Sequence, residues 1–210
     1  MSPKVTEEYL EERRQQIISA AEVCFARLGI HGTTLEDIRT EAGLSRGAVY
    51  HYFKSKEDIV EGLRERSRRI DMAAFERNVT GGDALEELLA MFSYALGLNI
   101  GPRRAIDSRV AMFLWAEALI NERIHASQMR LLEANRPLAL RLVKRAQEEG
   151  QINPDLPSEA VIDSLFSMAI GITIFAAWEP DKDMGPALEV AMALATGTFL
   201  ARRESPVTGS

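Results

Sequence analysis

The sequence predicts an all-α protein of about nine helices, a small N-terminal head followed by a larger helical body. Three observations carry this expectation. Apolar residues recur at three- and four-residue spacing along nearly the whole chain, the period of a helix with one buried face. No stretch alternates apolar and polar residues with the period of two that a half-buried strand requires. Ser, Thr and Asp precede the periodic stretches and glycines follow them, where caps belong.

Thr6 is placed to cap a first helix running to Leu28 and closed by Gly29. Thr34, with Asp37 three residues on, opens a second helix that keeps Leu35, Ile38 and Ala42 on one face. Gly43 ends it and Leu44 turns back into the core. Ser45 caps a third helix, in which Val49 and Phe53 pack inward while Arg46, Gly47, Tyr50 and His51 form an outward arc. Two short helices joined by this tight turn make a helix-turn-helix, whose second helix enters the major groove of DNA. Ser55, with Asp58 at the capping-box position, starts a longer helix to about Asn78, and its charged middle, Arg64 to Arg69, suits a crossing from head to body.

Gly81-Gly82 breaks that helix, and Asp83 opens the next, with Leu85, Leu88, Leu89, Phe92 and Leu96 on one side before a turn at Asn99 to Pro102. A helix from Arg104 to about Ile120 follows, then Asn121 to Glu149, where Pro137 marks either a kink or a boundary. Gly150 stops it. After the linker Asn153 to Ser158, two final helices span about Ser158 to Trp178 and Pro186 to Ala201. Residues 5–55 are thus expected to form the head, 56–203 the body and 204–210 a flexible polar tail.

The ordered set Ala21, Phe25, Gly29, Thr33, Thr34, Ala42, Gly43, Leu44, Ser45, Tyr50, His51, Phe53, Ser55 and Lys56 resembles the N-terminal domain of the TetR (tetracycline-repressor-like) family. The resemblance implies a ligand-responsive transcriptional regulator, most often a repressor, that binds a palindromic operator as a homodimer and leaves it when an inducer enters the body. It carries base or phosphate contacts onto Arg46, Gly47, Ala48, Tyr50, His51 and Tyr52, with Ser45 at the start of the helix. It makes Lys56 and Thr33 or Thr34 the phosphate clamps, at helix N-termini whose free N–H groups favour anions. Arg46 is where a guanidinium reaches guanine O6 and N7; Gly47 admits the backbone, and Ala48 meets a thymine methyl.

Composition narrows the class. With 46% hydrophobic and 27% charged residues the chain is expected to be soluble and globular. Its one cysteine, Cys24, shares a helical face with Ile17, Ala21, Phe25 and Leu28; it excludes a disulfide framework and fits a reducing cytoplasm. No apolar leader segment opens the chain. The longest uncharged run, Ser164 to Trp178, falls short of the ~20 residues that span a bilayer, so a buried helix and no membrane contact are expected. The net charge of −6 conceals a basic patch: from Arg39 to Lys56 four cations face one acid. Phosphate attraction is therefore concentrated near the third helix.

Other chemistries find little support. Glu122-Arg-Ile-His125 spells half of a di-iron carboxylate motif, but neither His31 nor His51 has a glutamate three residues before it. No nucleophile elbow, phosphate-cradling glycine loop or paired-cysteine spacing is present, so no metal, no cofactor and no enzymatic activity are expected. The body is rich in Met and aromatic residues, which are either ordinary core or the lining of the inducer pocket that the resemblance implies: Phe92, Met112, Phe113, Trp115, Met129, Phe175 and Trp178. Glu117 is either an interhelix or solvent-facing residue or a pocket anion, so the effector is expected to be apolar or cationic. The last two helices carry few charges and many small residues, among them Ala169, Gly171, Ala176, Ala177, Ala191, Ala195 and Gly197, and are either a monomeric core or, as preferred here, a four-helix dimer interface. A helical small-molecule binder that no longer reads DNA is the alternative function, opposed by the intact Arg46, Tyr50, His51 and Lys56.

Overall fold

The computed structural model describes residues 6–95 and 104–195, which form nine α-helices and no strand. These are α1 (Glu7–Gly32), α2 (Leu35–Ala42), α3 (Arg46–Tyr52), α4 (Lys56–Asn78), α5 (Ala84–Ala95), α6 (Arg104–Glu117), α7 (Glu122–Glu148), α8 (Ser158–Trp178) and α9 (Gly185–Ala195). The expected caps are in place. Thr6, Thr34, Ser45 and Ser55 each accept a backbone N–H at the start of α1, α2, α3 and α4, and Thr34–Asp37 and Ser55–Asp58 close full capping boxes. Gly43 ends α2 at φ 65°, a left-handed conformation that a side chain would strain. Gly29 interrupts α1 at φ 71°, so the regular helix stops at Leu28.

Three apolar clusters hold the helices. In the first, Ile17, Ile18, Phe25, Ile38, Val49, Phe53, Ile59 and Val60 pack α1 to α4 together, and Val110, Leu114 and Ile124 close it from α6 and α7. Each large side chain buried here contributes roughly 1.5–3 kcal/mol. Cys24 is buried in it, and burial pushes its thiol pKa up. The second cluster joins α4, α5, α7 and α8 through Phe75, Leu88, Met91, Leu138, Leu142 and Ile162. A third, Phe92, Ala169 and Leu188, ties α9 to α5 and α8. α4 and α7 therefore lie side by side in the same direction, with Asp58 meeting Arg123 at one end and Phe75 meeting Leu138 at the other.

Three expectations need correction. The sixth helix stops at Glu117, not Ile120. Asn121 must leave the helix so that its Oδ1 can accept from the N–H groups of Arg123 and Ile124 and cap α7. Leu119 and Ile120, in the turn between, are 85% and 73% exposed. Pro137 does not end α7, which continues to Glu148. Pro137 and Glu133 are both exposed, so the carbonyl that loses its N–H partner faces solvent. α8 is not buried within one chain: Phe175 and Trp178 are 51% and 68% exposed. It is also the one described helix long and apolar enough, by length and composition alone, to cross a bilayer. The expected turn at Asn99 to Pro102, the stretch after Ala195 and the tail lie outside the described residues, as do the side chains of Leu96 and Ala195.

Candidate nucleic-acid interface and its link to the body

α3 owes its orientation to one buried anchor. Val49 is enclosed by the first cluster, with Phe53 just beyond the helix, while Ser45, Arg46, Gly47, Tyr50 and His51 are exposed and Ala48 and Tyr52 half-buried. The turn that presents it is braced from two sides. Arg39 of α2 donates from Nη1 to the Leu44 carbonyl at 3.0 Å while pairing with Glu36, and Gln16 of α1 donates to the Ala42 carbonyl at 2.7 Å. Arg46 stacks its guanidinium over the Tyr50 ring, 5.6 Å from the centroid, and Tyr52 meets His51 edge-on. Both pairs hold polar tips at the surface without burying them. A Cβ built on Gly47 would meet nothing within 4 Å, so nothing inside this chain requires glycine there.

The flanking cations are already engaged. Lys54 donates to the Tyr50 carbonyl at the end of α3. Lys56, at the first position of α4, donates to the carbonyls of Ile30 at 2.7 Å and His31 at 3.3 Å. It ties the end of α1 to the start of α4. Thr34 lies on the surface within its capping box. Thr33 does not: it is buried, and its hydroxyl donates to the Gly29 carbonyl at 2.7 Å. Its side chain therefore serves the kink in α1 rather than a surface clamp.

The same end of the head is fastened to the body. His31 Nε2 lies 2.8 Å from Glu117 Oε2 at the end of α6, and Glu117 is buried. Glu117 is thus an interhelix tie rather than a free pocket anion. Phe113, one turn earlier, lies where a Cβ on Gly29 would be 3.6 Å from its ring. Arg123 of α7 pairs with Asp58 at 2.8 Å and Glu61 at 3.2 Å, fastening α7 to the start of α4.

The remaining aromatic and Met residues of the expected pocket differ in burial. Phe92 lines an apolar cavity between α5, α7 and α8 with Leu88, Met91 and Ile162, but its volume of about 30 Å³ admits no organic molecule. Met112, Trp115 and Met129 are half-buried, and Phe175 and Trp178 pack edge-to-face on the outer side of α8. The larger space is a cleft of about 680 Å³ between α1, α4 and α7, walled by the cations Arg14, Arg64, Arg68 and Arg130 and the acids Asp58, Glu61, Glu65 and Glu133, with Gly62, Ser127 and Leu131 among its other residues. It is polar, and sequence periodicity does not reveal it because its walls come from helices far apart in the chain. Arg64 lines this cleft, whereas Asp71, Gln128 and Asn135 are not among its walls. Glu122 and His125 are exposed, and among the described residues no group of three or more His, Cys, Asp or Glu is placed to hold a metal.

Residues 17–63, which hold α1 to the start of α4, match the model of the bacterial regulatory proteins of the tetR family. An uncharacterised HTH-type transcriptional regulator of Bacillus subtilis, YfiR, is 31% identical over 181 residues, covering 82% of this chain and 83% of that protein. The HTH-type transcriptional repressor Rv1474c of Mycobacterium tuberculosis is 35% identical over 89 residues, 42% of this chain and 46% of that one. In fold, the chain is similar to the transcriptional regulator FadR of Bacillus subtilis, solved in complex with stearoyl-CoA, with a TM-score of 0.69 at 20% identity over 88% of this chain and 98% of that one. A helix-turn-helix presented on a capped three-helix head, joined to a helical body and matched by both sequence and fold, makes this chain a DNA-binding transcriptional regulator of the TetR family.

Proposed function

We propose that the protein is a homodimeric repressor that grips a palindromic operator with two α3 helices and releases it when a small organic effector enters the body. The observation that carries this reading is α3 itself: one buried anchor, and an exposed arc of Arg46, Gly47, Tyr50 and His51 beside the cap Ser45. Arg46 is assigned to a guanine edge, and Gly47 and Ala48 to close approach of the backbone and a thymine methyl. Tyr50, His51 and Tyr52 take the flanking bases and phosphates, and Thr34 and Lys56 the phosphates at the starts of α2 and α4.

Two heads must be held at a fixed separation, because half-sites recur about one helical turn apart. The outer sides of α8 and α9 supply the surface: Phe175, Trp178, Val190 and Leu194 are all exposed large apolar residues. Exposed large apolar side chains on two packed helices are best covered by the same side of a second copy. Transmission runs through the ties at the end of α1. A shift of α6 or α7 pulls on Glu117–His31 and Arg123–Asp58, and these reorient the head relative to the body. Such a regulator acts in the cytoplasm, where its DNA is.

Binding-site selection from random duplex DNA tests the reading. An inverted repeat with half-sites about one turn apart is expected; a selected pool with no inverted symmetry overturns it.

A further inference from the structure

Between the first and second apolar clusters, α4 and α7 both carry polar residues in buried or half-buried positions. Arg64 and Asp71 lie on α4, Gln128 and Asn135 on α7, and the same offset of 64 positions relates Arg64 to Gln128 and Asp71 to Asn135. Because the two helices run in the same direction, the pairs occupy successive levels of one seam. Gln128 and Asn135 are buried, yet Gln128 Oε1 and Asn135 Oδ1 have no hydrogen-bond partner. Arg64 Nε and Nη2 are shielded from solvent and equally without a partner. Burial lowers the Arg64 pKa to about 10, and Asp71, whose own pKa burial raises to about 6, makes no hydrogen bond to it. Buried donors and acceptors left unpaired are costly and rare in folded proteins. Here two donors and two acceptors are left so in a single seam, and Arg64 also walls the cleft of about 680 Å³.

We propose that this seam is the effector site and that its ligand is a small organic carboxylate that also carries a hydroxyl or N–H donor. The proposal rests on the regulator reading for its biological role and names the ligand chemistry that reading leaves open. Nε and Nη2 form the side-on fork of a guanidinium, which matches both oxygens of a carboxylate. Gln128 Oε1 and Asn135 Oδ1 repel a second anion and call for donors instead. The carboxylate thus docks on Arg64 and the donor end on α7. Glu117, the anchor expected for a cationic ligand, is engaged by His31. A guest here separates or clamps α4 against α7, and α4 begins at the head.

The test is isothermal titration of the full-length protein with 4-hydroxybenzoate, its neutral isostere 4-hydroxybenzamide and the cation 4-hydroxybenzylamine. The carboxylate is expected to bind at least tenfold more tightly than either analogue. Arg64→Met should lose at least tenfold for the carboxylate but little for the amide. Arg64→Lys, which keeps the charge but not the fork, should fold and bind weakly, and it decides the matter if Arg64→Met does not fold. Absence of carboxylate binding, equal affinity for the amide, or an unaffected Arg64→Lys each overturns the proposal. DNA binding by the unmodified protein is measured separately. Its absence beside intact carboxylate binding would sink the regulator reading and leave this one standing.

Discussion

Gly47 and Arg46 separate what the fold needs from what DNA needs. A methyl group at Gly47 meets open space, and alanine is favoured over glycine in a helix by about 1 kcal/mol. Gly47→Ala should therefore leave thermal stability equal or raised and weaken operator affinity, because the added carbon stands between helix and groove. A variant with unchanged affinity in an anisotropy titration would show that the α3 backbone does not approach DNA at this position. Arg46→Ala should cost about 1–3 kcal/mol of specific binding and relax preference at one base pair per half-site. Repeating the site selection with the variant checks this; an unchanged preference at every position would reassign Arg46. Gly62 is the opposite case. Its missing side chain is needed inside the chain, since a Cβ there would sit 3.0 Å from Arg14 Nη2 and 3.1 Å from Ile18 Cδ1 where α4 crosses α1.

At the scale of elements, the caps were legible because each is a contact within three or four residues. Thr34 with Asp37 and Ser55 with Asp58 can be read from spacing alone. What joins one helix to another was not legible. His31 and Glu117, Lys56 and the Ile30 carbonyl, and Gln16 and the Ala42 carbonyl meet only once the helices have packed. Glu87 is a further instance. It is buried at the start of α5, where its carboxylate accepts from the backbone N–H groups of Thr80, Gly81 and Gly82 at 2.6, 2.8 and 3.1 Å and from Arg145 of α7 at 2.8 Å. Burial opposes its ionisation, but these donors outweigh it and lower its pKa from 4.5 to about 2. A depressed carboxyl pKa stabilises the fold above the unfolded value, and that stability drains away as pH falls from 4.5 toward 2. The difference corresponds to roughly 3 kcal/mol. Glu87→Gln should therefore cost about 2–3 kcal/mol in urea unfolding at pH 7 and distinctly less at pH 3. A gap that stays constant between the two would mean that the ionised carboxylate is not what holds this corner.

For the whole molecule, the helix-turn-helix segment was visible in the sequence, whereas the way the rest of the helices pack was not. Met and aromatic residues mark apolar volume without saying which of it is filled. Phe92 lines a cavity too small for a ligand, Phe175 and Trp178 face outward, and the roomier cleft is lined by charged side chains. The outward apolar side of α8 and α9 makes assembly the molecule-scale question. Val190→Arg puts a charge on a residue already 47% exposed in the single chain, so folding should be kept and dimerisation lost. Sedimentation velocity at micromolar concentration should then report a monomer, and a persistent dimer would assign the interface to another face. The central claim, that two basic heads carried by one acidic dimer read a symmetric site, is tested most directly by fluorescence anisotropy of the selected inverted repeat against a half-site duplex and a shuffled duplex over a series of salt concentrations. Binding at least ~10³ tighter to the repeat than to the shuffled duplex is expected, with weak binding to the half-site and a linear fall of log affinity with log salt concentration. Equal affinity for all three duplexes, or affinity indifferent to salt, would contradict it.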